Sequence, residues 1–357
     1  MKITAVLCVR NEGAFLLDWL AHHLACGITH VVALSNDCDD GTDALLDRLE
    51  ALGHVTHIRN DGPYDKGGIQ FTGLKLADRS AAVREADWLL ALDVDEFVNV
   101  HVGGRTLPEL IAALPEADAI TLTWRLFGNA GVLRYADRPV PEQFTRAAPV
   151  AMVWPWRSAM FKTLYRNDGT YAKLGVHRPR SPDPARADAA RWFDGEGRAL
   201  DAQFRTRRIF SNYGRSNYAL AQLNHYPLGA MESYVLKADR GRAVHSDHLL
   251  GLDYWVERNF NTDEDQTILA LAPQVAERRA ALAADAELGR LHAAAVAWRQ
   301  ARFEALMLQE PYRALLGRLL MTPPSQPLAP RTASVLHQFA QRARSAEDET
   351  QPQNGNL

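Results

Sequence analysis

The chain predicts an α/β fold, a mostly parallel sheet flanked by helices and followed by a helical extension. Three observations predict it. Apolar runs of strand length alternate with helix-like periodicity through the first 130 residues. Those runs are continuously apolar rather than alternating, which is the pattern of strands covered on both faces. Beyond Asp265 the chain turns Ala-rich and helical.

In order, "ITAVLCV" (3–9) is a buried strand and "GAFLLDWLAHHLAC" (13–26) a helix with Phe15, Leu16, Trp19, Leu20 and Leu24 on one face. "HVVALS" (30–35) is a second strand, and "GTDALLDRLEALG" (41–53) a helix ending in a C-cap glycine. "HVTHIR" (54–59) is the third strand, 69–86 the third helix and "WLLALDV" (88–94) the fourth strand. In open parallel sheets ligands bind beyond the carboxyl ends of the strands. Polar clusters fall at those ends: "RNE", "SNDCDDGTD", "RNDGPYDKGG" and "DVDEF". One crevice collects all four.

The last cluster is the most informative. If the strand runs through them, Asp93 and Asp95 share a face with Cα atoms roughly 6.5–7 Å apart, and Glu96 points away. Two buried carboxylates side by side repel unless a cation lies between them. Oxygen ligands of this kind suit Mg²⁺ or Mn²⁺, ions that usually hold substrate phosphates as well. The other use of such a pair is to cap the following turn.

The order "VRNE", "SNDCDDGTD" and "DWLLALDVDEF" resembles the nucleotide-sugar half of GT-A (Rossmann-like) glycosyltransferases. It is similar to family-2 enzymes, and in particular to a bacterial branch with a DVDEF form of the Asp-x-Asp motif, related to family 92. "GVHRP" (175–179) and "NHYPLGAMESYVLKADRG" (224–241) extend the resemblance, which covers about residues 1–265. It implies a nucleotide loop of Arg10, Asn11 and Glu12. It also implies uracil or ribose contacts from Asn36, Asp37 and Asp40, with Ser35 standing where the family more often has Asp. Asp40-Gly41-Thr42 reads equally well as a helix N-terminus. By the same resemblance Asp93 faces the ribose, and Asp95 holds the metal that bridges the diphosphate.

Residues 1–130 are thus the expected donor half and 131–265 the acceptor half. In the latter, "AITLTWRLFG" (119–128, begun before the boundary) and "RSAMFKTLYR" (157–166) read as strands, and "RWFDGEGRAL" (191–200) as a hairpin. His225, and more weakly His177, lie near strand ends, where imidazole completes a metal site or donates to phosphate; each also serves as a structural histidine. Lys237 and Arg240, three apart on a helix, meet phosphates or form a solvated cationic face. Asp168 and Asp194 are the candidate catalytic bases, although turn chemistry accounts for both. Residues 266–321 are a helical extension, whose apolar stripe packs on the domain, forms a homodimer or touches a membrane surface; packing is the expectation. Residues 322–357 are expected to be a disordered tail.

The expected function is metal-dependent transfer, with inversion, of a sugar from a UDP-linked or similar donor to a glycan or lipid-linked acceptor. Its rivals are a non-catalytic carbohydrate-binding or scaffold protein of the same fold and a haloacid-dehalogenase-type phosphatase. The phosphatase wants its Asp-x-Asp after the first strand, whereas here it follows the fourth. The net charge of −3 gives no general attraction to nucleic acid. Cys8, Cys26 and Cys38 are odd in number and not spaced as ligands, as expected of reduced thiols in a cytosol. The N-terminal apolar run is too short for a signal peptide, and no stretch approaches the roughly 18 residues of a membrane span. The expected location is the cytoplasm, extending to the inner face of the cell membrane.

Overall fold

A computed structural model describes residues 1–64, 67–241 and 250–350. Asp65 and Lys66, in the third polar cluster, and residues 351–357 of the expected tail lie outside the described residues.

The first half builds as the apolar pattern requires: β1 (Ile3–Val9), α1 (Gly13–Ala25), β2 (His30–Ser35), α2 (Thr42–Ala51) and β3 (Val55–Arg59). The third helix is shorter than its periodicity suggests. It comprises α3 (Gly68–Ala77) and a single turn, α4 (Ala81–Arg84), before β4 (Trp88–Leu92). β5 (Glu96–Val100), α5 (Leu107–Ala113) and β6 (Ala119–Leu126) follow. β3, β2, β1 and β4 are parallel neighbours in that order. The strand Phe161–Arg166 then runs antiparallel between β4 and β6, and Ala221–His225 joins β6 in parallel and β5 in antiparallel. The "RSA" part of the expected 157–166 strand is instead a 3-10 turn over Trp156–Ala159.

The chain passes directly from β4 to β5, yet β5 pairs four strands away. In a flat sheet that gap is about 19 Å. The link Asp93-Val94-Asp95 spans at most about 14 Å, and a turn bond from Glu96 N–H to the Asp93 carbonyl (3.1 Å) shortens it further. The sheet therefore curls into a half-barrel, and the acidic motif is the join. The expectation of a strand running through Asp95 is corrected: β4 stops at Leu92.

α1 is buried almost all round. Its inner side packs on the sheet, where Trp19 Nε1 donates to the carbonyls of Asp93 and Glu96 at 3.2 and 3.1 Å. Its outer side is covered by the helices Ala272–Ala283 and Ala286–Met307, with ion pairs Arg279–Asp18 and Arg48–Asp285 pinning these to α1 and α2. Leu282 and Leu288 of the stripe are buried there, while Phe303 and Leu306 are buried in a second cluster with the helices Met231–Arg240 and Glu310–Met321. Gly13 is required at the crossing, since a Cβ would lie 2.9 Å from that of Ala295. The expected disordered tail contains a helix, Pro330–Thr350. No described helix is long and apolar enough to cross a membrane.

Candidate active site

A cleft of about 420 Å³ opens at the carboxyl ends of β1, β2 and β4. Among the residues lining it are Arg10, Glu12, Asn36, Asp93, Asp95, His177, His225, Lys237 and Arg240, so the fold gathers most of the sequence-predicted set. Asn11, with φ of 53°, instead accepts from the Asp39 N–H (2.7 Å) and lines a neighbouring cavity. Asp37 and Asp40 do not line the cleft. Asp40 is buried and fastens two helix N-termini, accepting from Gly13 N–H (2.9 Å), Thr42 N–H (2.9 Å) and Thr42 Oγ1 (2.6 Å). The helix-terminus alternative describes it.

The two aspartates do not face each other across an empty gap. Each has its own lysine. Asp93 Oδ2 lies 2.9 Å from Lys162 Nζ, and its Oδ1 accepts from Gln70 Nε2 at 3.3 Å. Asp95 Oδ2 lies 2.8 Å from Lys237 Nζ, and its Oδ1 is 3.7 Å from His225 Nε2. Burial alone would raise the Asp95 pKa, but Lys237 and His225 hold it well below the carboxylate range. The like-charge repulsion expected from spacing alone is thus relieved by the fold.

Glu96 does not point to the far side. It is fully buried beneath the motif, accepting from Trp124 Nε1 (2.6 Å) and from Asp93 N–H (2.8 Å), with Lys162 Nζ at 3.4 Å. Burial, aided by Asp93 and Asp95, pushes its pKa up to about 8 even with Lys162 beside it. Sequence reading missed the roles of Lys162 and Glu96. Lys162 occupies an inward strand position where a hydrophobe is the default, and a lysine there is the signal that could have revealed it.

Register places the histidines. His225 is the last residue of its strand and pairs with Glu96, which brings its ring beside Asp95. It is buried, its ring lies tilted against Trp124 with 4.2 Å between ring centres, and its Nδ1 has no partner among the described residues. Burial lowers its pKa. His177 lies 5.7 Å from the same indole and donates from Nδ1 to the Phe161 carbonyl (3.0 Å). Its pKa falls to about 4, chiefly through burial.

Lys237 and Arg240 come from one face of the helix Met231–Arg240. Arg240 pairs with Glu12 and donates to the Arg10 carbonyl (2.7 Å), tying this helix to the β1–α1 loop. Arg157 and Arg258, neither predicted, add two more cations to the cleft. Arg10 has a buried Nε without a partner. Asp168 and Asp194 prove to be turn residues away from the cleft. Asp168 accepts from Thr170 N–H (2.9 Å), and Asp194 from Glu196 and Arg198 N–H at 3.1 and 2.8 Å.

Asp95 and His225 offer a carboxylate oxygen and an imidazole nitrogen to the same corner of the cleft, a donor set that fits Mn²⁺ or Mg²⁺. No group of three or more potential protein ligands occurs among the described residues.

A cleft at the carboxyl ends of the strands is where α/β sheets of this kind bind their ligands. The chain belongs to glycosyltransferase family 92, whose model matches residues 5–186. It is similar to a family 92 protein of Oryza sativa subsp. japonica, 24% identical over 141 residues, 38% of this chain and 23% of that protein. A second, from Ricinus communis, is 25% identical over 155 residues, 40% of this chain and 26% of that one. The chain spans about a quarter of the length of these curated relatives. Among solved structures, S. aureus TarS is 16% identical with a TM-score of 0.29, covering 47% of each chain. Glucosyl-3-phosphoglycerate synthase of Mycobacterium tuberculosis, solved with Mn²⁺, UDP and glucosyl-3-phosphoglycerate, is 18% identical with a TM-score of 0.25, covering 35% and 44%.

Proposed function

We propose that the protein transfers a sugar from a nucleoside-diphosphate donor, UDP-linked by the resemblance, to a hydroxyl of a glycan or lipid-linked acceptor. The observation that carries this reading is the charge pattern of the cleft. Arg10, Arg157, Lys237, Arg240 and Arg258 surround three carboxylates at a sheet end built for a nucleotide. Preorganised cations at the position of a departing diphosphate stabilise the charge that develops there. Asp95 and His225 would hold Mn²⁺ or Mg²⁺, which when bound adds positive charge at the diphosphate. Lys162 and Gln70 fix the Asp93 carboxylate for the ribose side. The inverting outcome implied by the resemblance needs a base, and among the described residues Glu12 is the cleft carboxylate outside the acidic turn. The DVDEF sequence at Asp93–Phe97 supports, on our reading, a family-2-like bacterial branch related to family 92. Three unpaired cysteines support a reducing compartment.

Calorimetric titration with UDP tests the reading. Binding at least tenfold tighter with Mn²⁺ than with EDTA is expected for the wild type, with the difference lost in Asp95→Asn. Equal affinities would remove the metal, and absence of UDP binding in both would remove the donor site. A panel of nucleotide sugars screened for hydrolysis then identifies the donor.

A further inference from the structure

Behind the donor cleft lies a second cavity, smaller at about 90 Å³ and lined largely by apolar side chains such as Phe15, Phe144, Leu228 and Trp298. Arg299 also lines it. This arginine is only 7% exposed, and its guanidinium packs against Phe15 and Tyr135, 4.7 and 4.9 Å from the centres of two rings that meet edge-on. Its Nε is buried without a partner, and no described residue hydrogen-bonds or ion-pairs with it. Burial pulls its pKa below the ordinary value.

The carboxylates on the same wall are already committed. Glu12 is paired with Arg240, Asp95 with Lys237 at 2.8 Å, and Asp239 with Arg302 at 2.9 Å. The wall therefore carries one cation without an anion, in a place where an unpaired charge is costly. We propose that this cavity binds a carboxylate carried on a short apolar stem, with the carboxylate on Arg299. The Phe15 and Tyr135 rings meet edge-on and approach the guanidinium from one side, and a planar two-oxygen acceptor matches the N–H fork of a guanidinium that has no ion-pair partner among the described residues. A phosphate would bring a further charge that no spare cation meets. A cavity that encloses benzene measures about 150 Å³, so this one takes the end of a ligand whose remainder lies at the mouth. The cavity adjoins the donor cleft, sharing Glu12, Val94, Asp95, Lys237 and Arg240 with it, but Arg299 lines the second cavity and not the cleft, so the proposal does not rest on the transfer reading.

Calorimetry on the full chain with octanoate, octyl phosphate and octanol tests it. Octanoate should bind at least tenfold tighter than either of the others. Arg299→Met, which still packs against the two rings, should lose that preference and leave octanol unchanged. Saturating UDP should not displace octanoate. Equal binding of octanoate and octanol to the wild type overturns the proposal, as does undiminished octanoate binding to Arg299→Met or displacement by UDP. Tighter binding of octyl phosphate overturns the choice of carboxylate. Should Arg299→Met fail to fold, the three-ligand comparison on the wild type still decides, and Arg299→Lys should lower octanoate affinity by losing the fork.

Discussion

Lys162 Nζ lies 3.4 Å from the Glu96 carboxylate, with neither side chain in contact with solvent. The same ammonium group reaches Asp93 at 2.9 Å. One buried cation thus supports two carboxylates of the acidic join. Removing it should be far worse than neutralising either partner. Lys162→Met is expected to cost about 3–5 kcal/mol, the scale of a buried charge cluster losing its counter-ion. Glu96→Gln, which keeps an acceptor for Trp124 and leaves Lys162 paired with Asp93, should cost clearly less. Urea unfolding of both variants checks the order, and equal losses would count against this account.

Asp95→Asn changes sign once the structure is known. Spacing alone suggests that neutralising one aspartate relieves repulsion and preserves stability. Because Asp95 is held ionised by Lys237 and His225, its loss should instead destabilise the metal-free protein by about 1–3 kcal/mol. UDP affinity in Mn²⁺ should fall in the same variant. A metal-free melting temperature at or above that of the wild type would refute the pairing.

Asp40→Ala separates a structural from a binding role. Its carboxylate satisfies two backbone N–H groups and a hydroxyl in a buried corner. The substitution should cost about 2–3 kcal/mol, while the folded fraction binds UDP as the wild type does. A large drop in UDP affinity at unchanged stability would restore it to the nucleotide set.

His22 should make the protein acid-sensitive. Its Nε2 donates to the Val98 carbonyl at 2.8 Å, and burial lowers its pKa from 6.5 to about 4. Between those values the unfolded chain binds the proton and the folded chain does not. This part of the stability is therefore complete above pH 6.5 and is lost as the pH falls towards 4. It amounts to about 3 kcal/mol in full. The margin of wild type over His22→Gln should shrink between pH 7 and pH 4.5 in chemical denaturation. A margin constant with pH would show that His22 does not titrate as described.

The sequence by itself determined the parallel half of the sheet and the position of the acidic motif at its carboxyl end. Strand and helix periods are local properties, and β1 to β4 carry them without interruption. It also singled out Asp93 and Asp95, because carboxylates at a strand end are conspicuous against apolar runs, and His225, Lys237 and Arg240 through the family resemblance of residues 224–241. Tertiary structure decided the rest. Whether Glu96 points outward or is buried depends on β4 ending at Leu92, which follows from the curl that pairs β5 with Ala221–His225. Lys162 meets Asp93 across 69 residues and Lys237 meets Asp95 across 142. No local pattern encodes such pairs, because they arise only when antiparallel strands insert into the sheet and a helix returns across its end. Asp168 and Asp194 fail as base candidates for the same reason. A carboxylate's chemistry is visible in sequence, but the face of the fold on which it lands is set by packing.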